Sequence, residues 1–219
     1  MDSLEIMYDH YKETCELSRE VQNRRNKNFI VLCVLEALSF LMLIRPIDVL
    51  ELFESEIRNK LDVTLNMSGS ILQTLIWVSI TYMIIRYVQD VLYIERQYIY
   101  MDMLEKKMSV KNSENVFMRE SLHYQVNYPI VLNFIDLFYK MLSPILFFVI
   151  NSIRIIFEWK QSGTSTLALV CDTILYISLS VVLWFYFFEI HAKITSWFKR
   201  HIKIIDSIAS TLRRLLKEV

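Results

Sequence analysis

The chain has 219 residues, 54% hydrophobic and 13% aromatic, with two glycines and three prolines. That composition excludes an ordinary turn-rich, water-soluble globule and points to a membrane protein. Twenty-four basic residues balance 24 acidic ones, so there is no bulk basic surface and direct nucleic-acid binding is not expected. The positions of the cations carry the information instead. Cys15, Cys33 and Cys171 lie far apart without a CxxC, which argues against a disulfide framework, and the charged N-terminus argues against a cleaved signal peptide.

Residues 1–28 alternate acids and bases, with Glu16 and Arg19, and Glu20 and Arg24, at pairing distance along a helix. They predict a short solvated helix, or one that docks a partner through Tyr8, Tyr11 and Cys15. FIVLCVLEALSFLMLI, residues 29–44, opens a first span over about 29–47, with Pro46 bending its exit and Glu36 at its middle. Residues 45–70 lean acidic, and VLELFESEIRNKL within them has the spacing of a small amphipathic helix. Asn66, Met67 and Ser68 form a glycosylation sequon with no other secretory feature to support it.

A second span covers 69–86, and its helical pattern runs on through Met108, which predicts a rod of about 58 Å that leaves the membrane. Arg86 and Asp90 are spaced to pair along it. SVKNSENVFMRESLHYQVNY then turns the chain, with Ser113 as a helix cap.

MLSPILFFVINSIRIIFEW, residues 141–159, is the third span, and 19 residues reach about 28 Å, close to the thickness of the hydrocarbon. Asn133, Asp136, Lys140, Ser143, Phe147, Asn151 and Arg154 fall on one stripe, which must face neighbouring helices or a pore because charge in lipid is costly. QSGTST makes the next turn, residues 168–190 form the fourth span, and the basic tail 191–219 carries a heptad stripe of Phe198, Ile202, Ile205, Ala209, Leu212, Leu216 and Val219. That stripe fits either self-association or an anionic lipid surface.

Nineteen of the 24 basic residues lie in the N-tail, the 86–140 segment and the C-tail, against five in the other two loops. The positive-inside rule therefore puts both termini, and the helical hairpin 87–140, in the cytoplasm. The expected fold is an all-α integral membrane protein of four spans with helical cytoplasmic extensions.

Function classes that use four helices can be tested against residues. A thiol oxidase needs paired cysteines, a haem bundle needs facing histidines inside the membrane, and neither set is present. P-loop, GxSxG and HExxH motifs are missing, so no enzyme activity, cofactor or metal is expected. The candidate site is the membrane-embedded polar set of Glu36, Asn133, Asp136, Lys140, Asn151, Arg154 and Asp172. Among these, Asp136 and Lys140 are spaced to pair, as are Arg154 and Asp172 across spans three and four.

Two readings follow. One is a homo-oligomeric subunit whose cytoplasmic helices dock a protein partner while its spans open a conduit or perturb the bilayer. The other is a small proton-coupled transporter or stator-type channel with Glu36 as the coupling carboxylate. About 100 residues of cytoplasmic helix favour the first. In topology the whole chain resembles the four-span, termini-inside subunits of prokaryotic membrane-acting anti-phage systems such as Kiwa, or the channel component of Hailong. That resemblance implies a homotetramer in the inner membrane, working with a cytoplasmic, nucleic-acid-handling partner.

Overall fold

The computed structural model describes residues 3–62, 68–112, 130–161 and 165–201, and all its regular elements are helical. In chain order they are α1 (Ser3–Ile44), α2 (Pro46–Leu61), α3 (Gly69–Asn112), α4 (Ile130–Leu137), a π-turn (Phe138–Leu142), α5 (Ser143–Lys160) and α6 (Thr166–His201). Four stretches, Leu4–Ile44, Gly69–Val110, Phe134–Lys160 and Thr166–Glu189, are long and apolar enough to cross a membrane. This is a multi-pass membrane protein.

Residues 3–28 are not a separate helix but the first part of α1. No glycine or proline lies between Ser3 and Arg45, so nothing breaks the pattern at Asn28 and the solvated and apolar parts form one rod of about 63 Å. The rod stops because Arg45 precedes a proline and is forced out of the helical region, at φ −137° and ψ 67°. Pro46 then opens α2, so Ile47, Val49 and Leu50 belong to a separate helix and do not extend the first span. Asp62, left-handed at φ 53°, closes α2 by donating its N–H to the Arg58 carbonyl. At Gly69 an added Cβ would stand 3.2 Å from the Leu50 side chain, so glycine is what lets α2 lie this close to the start of α3.

The dominant packing is α1 against α3. Tyr11 meets Glu105, Cys15 meets Met101, Gln22 meets Tyr98 and Arg24 meets Asp90, so numbers rise on one helix as they fall on the other. The pair is antiparallel. Val21, Val91, Ile94, Met101 and Met108 fill its seam, and Leu32, Trp77, Ile80, Ile84 and Phe147 continue the core through the apolar part.

The π-turn follows from Pro144. Lacking an N–H, Pro144 cannot bond the carbonyl of Lys140 and its ring crowds it, so the helix widens by one residue and Ser143 donates to Phe138 instead. The π-turn also presents the Tyr139 carbonyl to Tyr87, whose hydroxyl donates to it at 2.6 Å.

The chain divides into units 1–179 and 180–219, with the boundary inside α6. In the second unit, Trp184 and Phe188 lie one turn apart with ring centroids separated by 5.6 Å, and both are exposed. The tail positions Ile202, Ile205, Ala209, Leu212, Leu216 and Val219 lie outside the described residues, as do the side chain of Phe198, the 113–129 turn and Asn66 of the sequon.

Candidate functional site

α5 is amphipathic with its polar face turned inward. Ser143, Phe147, Asn151, Arg154 and Glu158 recur at steps of three and four and are buried, while Ile145, Leu146, Val149, Ile153, Ile156 and Phe157 face outward. That is the arrangement a membrane demands, since a charged side chain in lipid costs several kcal/mol and one inside the bundle can be paired.

The centre of the site is Arg154. Its Nε donates to Glu158 Oε1 at 2.8 Å, one turn on, and its Nη2 reaches the Gln73 carbonyl at 3.4 Å. Its guanidinium lies 4.2 Å from the centroid of the Trp77 ring. Trp77 in turn donates its indole N–H to both oxygens of Glu158, at 2.9 and 3.0 Å. Arginine, glutamate and tryptophan thus form a closed triangle, and all three are fully buried.

Glu36 approaches from α1. It accepts from Asn151 Nδ2 at 2.6 Å, and the same amide also donates to the Phe147 carbonyl at 2.9 Å. Asp172, on α6, is buried near Thr74 and within electrostatic reach of Arg154, as are Glu158 and Glu36. Three buried carboxylates therefore share one guanidinium. Several polar atoms in this region have no hydrogen-bond partner among the described residues: Glu36 Oε2, Ser39 Oγ, Gln73 Nε2, Thr81 Oγ1, Asn151 Oδ1 and Arg154 Nη1.

The sequence-predicted residues divide between two places. Glu36, Asn151, Arg154 and Asp172 come together in the bundle, inside one chain. Asp136 at the end of α4 and Lys140 within the π-turn are paired at 2.5 Å, and Lys140 also bridges to Glu95 of α3. Asn133 is on α4, but its side chain lies outside the described set.

Two expected pairs are made otherwise. Arg154 bonds Glu158 rather than Asp172, because a residue one turn along the same helix is pre-positioned and costs less ordering. Asp90 bonds Arg24 and Asn28 of α1 rather than Arg86, which turns to Gln89 at 3.3 Å. Residues that sequence reasoning missed are Glu158 and Trp77. The signal for Glu158 was present in its i+4 spacing from Arg154; for Trp77 there was none, since an indole in a span is common.

Beyond the apolar segment, the α1–α3 pair carries a second polar series. Tyr11 donates to Glu105 at 2.8 Å, and burial followed by that carboxylate pushes its hydroxyl well above the ordinary phenol range, so it remains a donor. Arg24 grips Asp90 with Nε at 3.0 Å and Nη2 at 2.6 Å. At the junction with the bundle, Arg25 lies 4.2 Å over the Tyr139 ring and Phe29 packs among Tyr87, Phe138, Tyr139 and Phe147. Among the described residues no three His, Cys, Asp or Glu side chains are grouped to hold a metal ion.

Compared with known protein families, curated proteins and solved structures, the chain matches none.

Proposed function

We propose that this protein is a homo-oligomeric inner-membrane subunit, without catalytic activity of its own, whose projecting α1–α3 pair docks a protein partner in the cytoplasm and carries that signal into the membrane bundle. The observation that carries the reading is the continuity of α1 and α3. Each runs unbroken from the projecting pair into the bundle. α1 bears Tyr11 and Arg24 at one end and Glu36 at the other; α3 bears Glu105 and Asp90 at one end and Trp77 at the other. A displacement at the tip therefore reaches the polar site through two helices bonded to each other along their length.

The membrane action belongs to the outer faces of the bundle, because Asn151 and Arg154 are buried inside the protomer. Ile30, Val34, Leu41 and Ile44 make an uncovered stripe on α1, and Val170, Ile174 and Ile177 make another on α6. Neighbouring copies and lipid compete for these stripes. A channel-like or bilayer-perturbing role in anti-phage defence, working with a nucleic-acid-handling partner, is the setting this architecture resembles.

The test is the mass of the purified protein in lipid nanodiscs. The reading expects several copies per particle, four being favoured, and a weaker assembly when residues 196–219 are deleted. A single-protomer mass in both nanodisc and detergent would overturn it.

A further inference from the structure

We propose that Glu36 binds a proton inside the bundle, held as a carboxylic acid in a two-hydrogen-bond ring with the Asn151 side-chain amide. The geometry rests on two bonded atoms and two unbonded ones. Asn151 Nδ2 donates to Glu36 Oε1 at 2.6 Å and to the Phe147 carbonyl at 2.9 Å, which uses both of its N–H groups. The other atom of each group, Glu36 Oε2 and Asn151 Oδ1, is buried with no partner among the described residues.

With Glu36 ionised both of these atoms are acceptors, and neither satisfies the other. A proton on Oε2 turns it into a donor, and the amide oxygen of its hydrogen-bonded partner Asn151 lacks one. One addition thus repairs two buried defects, each of which is otherwise costly. The uptake is balanced: one O–H bond forms at Oε2, one O–H bond of a solvent hydronium ion breaks, and a neutral water molecule is left behind.

Charge supports the same state. Glu36, Glu158 and Asp172 are all buried, and among the described residues the one guanidinium within their reach is Arg154. Arg154 gives its Nε to Glu158 and its face to Trp77, so the arginine is held by another carboxylate. From α1 itself, Cys33 is the titratable neighbour of Glu36. A carboxylate left without its own cation in apolar surroundings is neutralised most cheaply by a proton. Because Glu36 stands on the helix that also forms the projecting pair, the bound proton sits at the inner end of the same rod. The inference stands independently of oligomer number and of the docking partner.

The experiment is infrared spectroscopy of the protein in lipid nanodiscs at neutral pH. The spectrum of wild type minus Glu36→Gln is expected to contain one carboxylic-acid carbonyl band per chain. That band should shift in heavy water and move to higher frequency in Asn151→Leu, where the ring is lost. Glu36→Gln should fold with a midpoint close to wild type, because a glutamine amide makes the same two bonds to Asn151.

In wild type labelled with carbon-13 at glutamate carboxyls the band should also shift, which needs no substitution at all. A band that ignores the glutamate label belongs to an aspartate and overturns the proposal. So does the absence of any carboxylic-acid band, and a band unchanged by Asn151→Leu overturns the ring.

Discussion

Arg154 and Glu158 form an ion pair with side chains 1% and 0% exposed, sealed beneath Trp77, whereas the Arg24 side chain that grips buried Asp90 is 46% exposed. Both pairs join an arginine to a carboxylate at hydrogen-bonding distance, and they belong to the same chain unit. What separates them is access to water. In the sealed pair neither partner can turn to water, so breaking it carries the cost of a buried unpaired charge. In the open pair the arginine falls back on solvent, and only the buried aspartate, with Asn28 beside it, keeps the contact expensive to lose. Residue type alone therefore says little about energetic weight.

The comparison can be broken most directly at Glu158. Glu158→Ala leaves Arg154 buried without its carboxylate and Trp77 without its acceptor, and is expected to cost about 3–5 kcal/mol, read from the unfolding midpoint in detergent. The double variant Arg154→Met, Glu158→Leu should recover most of that loss, since it removes both charges. If Glu158→Ala costs less than about 1 kcal/mol, the pair is not sealed as described.

At the open pair, Asp90→Ala strips three hydrogen bonds from Arg24 and Asn28. An effect of about 1–3 kcal/mol is expected, smaller than at Glu158 because the arginine stays hydrated. A loss as large as that of Glu158→Ala would erase the distinction. Further along the same helices, Tyr11→Phe removes one bond to Glu105 and should cost about 1 kcal/mol. Its signature is local: faster amide exchange near the start of α1 and the end of α3, with the bundle unchanged. At the bottom of the scale, Glu56 and Lys60 on α2 pair with 59% and 77% of their side chains exposed. Lys60→Ala should fall within about 0.5 kcal/mol of wild type.

Much of the fold was legible in the sequence, and for a simple reason. A bilayer imposes a minimum apolar length, so spans announce themselves, and the all-α class with four spans follows from windows such as 168–190. The inward polar stripe through Asn151 and Arg154 was legible too, because helical spacing puts those side chains on one face. What was hidden depends on contacts between helices. Nothing in residues 1–28 tells Arg24 to choose Asp90 over Glu20, since that choice needs the antiparallel register of α1 and α3. Glu158 looked like the polar end of a span, when its depth inside the bundle makes it the partner of Arg154. Pro144 was visible, but its consequence was not: a proline inside a helix can kink it, end it or widen it, and the tertiary bond from Tyr87 to the Tyr139 carbonyl accompanies the third outcome.

The central proposal is that the chain crosses the membrane four times, with the ends of α1 and α3 that carry Tyr11 and Glu105 on the cytoplasmic side and α2 on the other. It is tested by labelling single cysteines with a membrane-impermeant maleimide in spheroplasts, in a background where Cys15, Cys33 and Cys171 are replaced by serine. Tyr8→Cys on α1 and Met103→Cys on α3 use side chains 48% and 44% exposed, and Glu56→Cys reports on α2. The account predicts that Glu56→Cys is labelled in intact spheroplasts, while Tyr8→Cys and Met103→Cys react only after permeabilisation. Labelling of Tyr8→Cys or Met103→Cys from outside, or protection of Glu56→Cys, would contradict it.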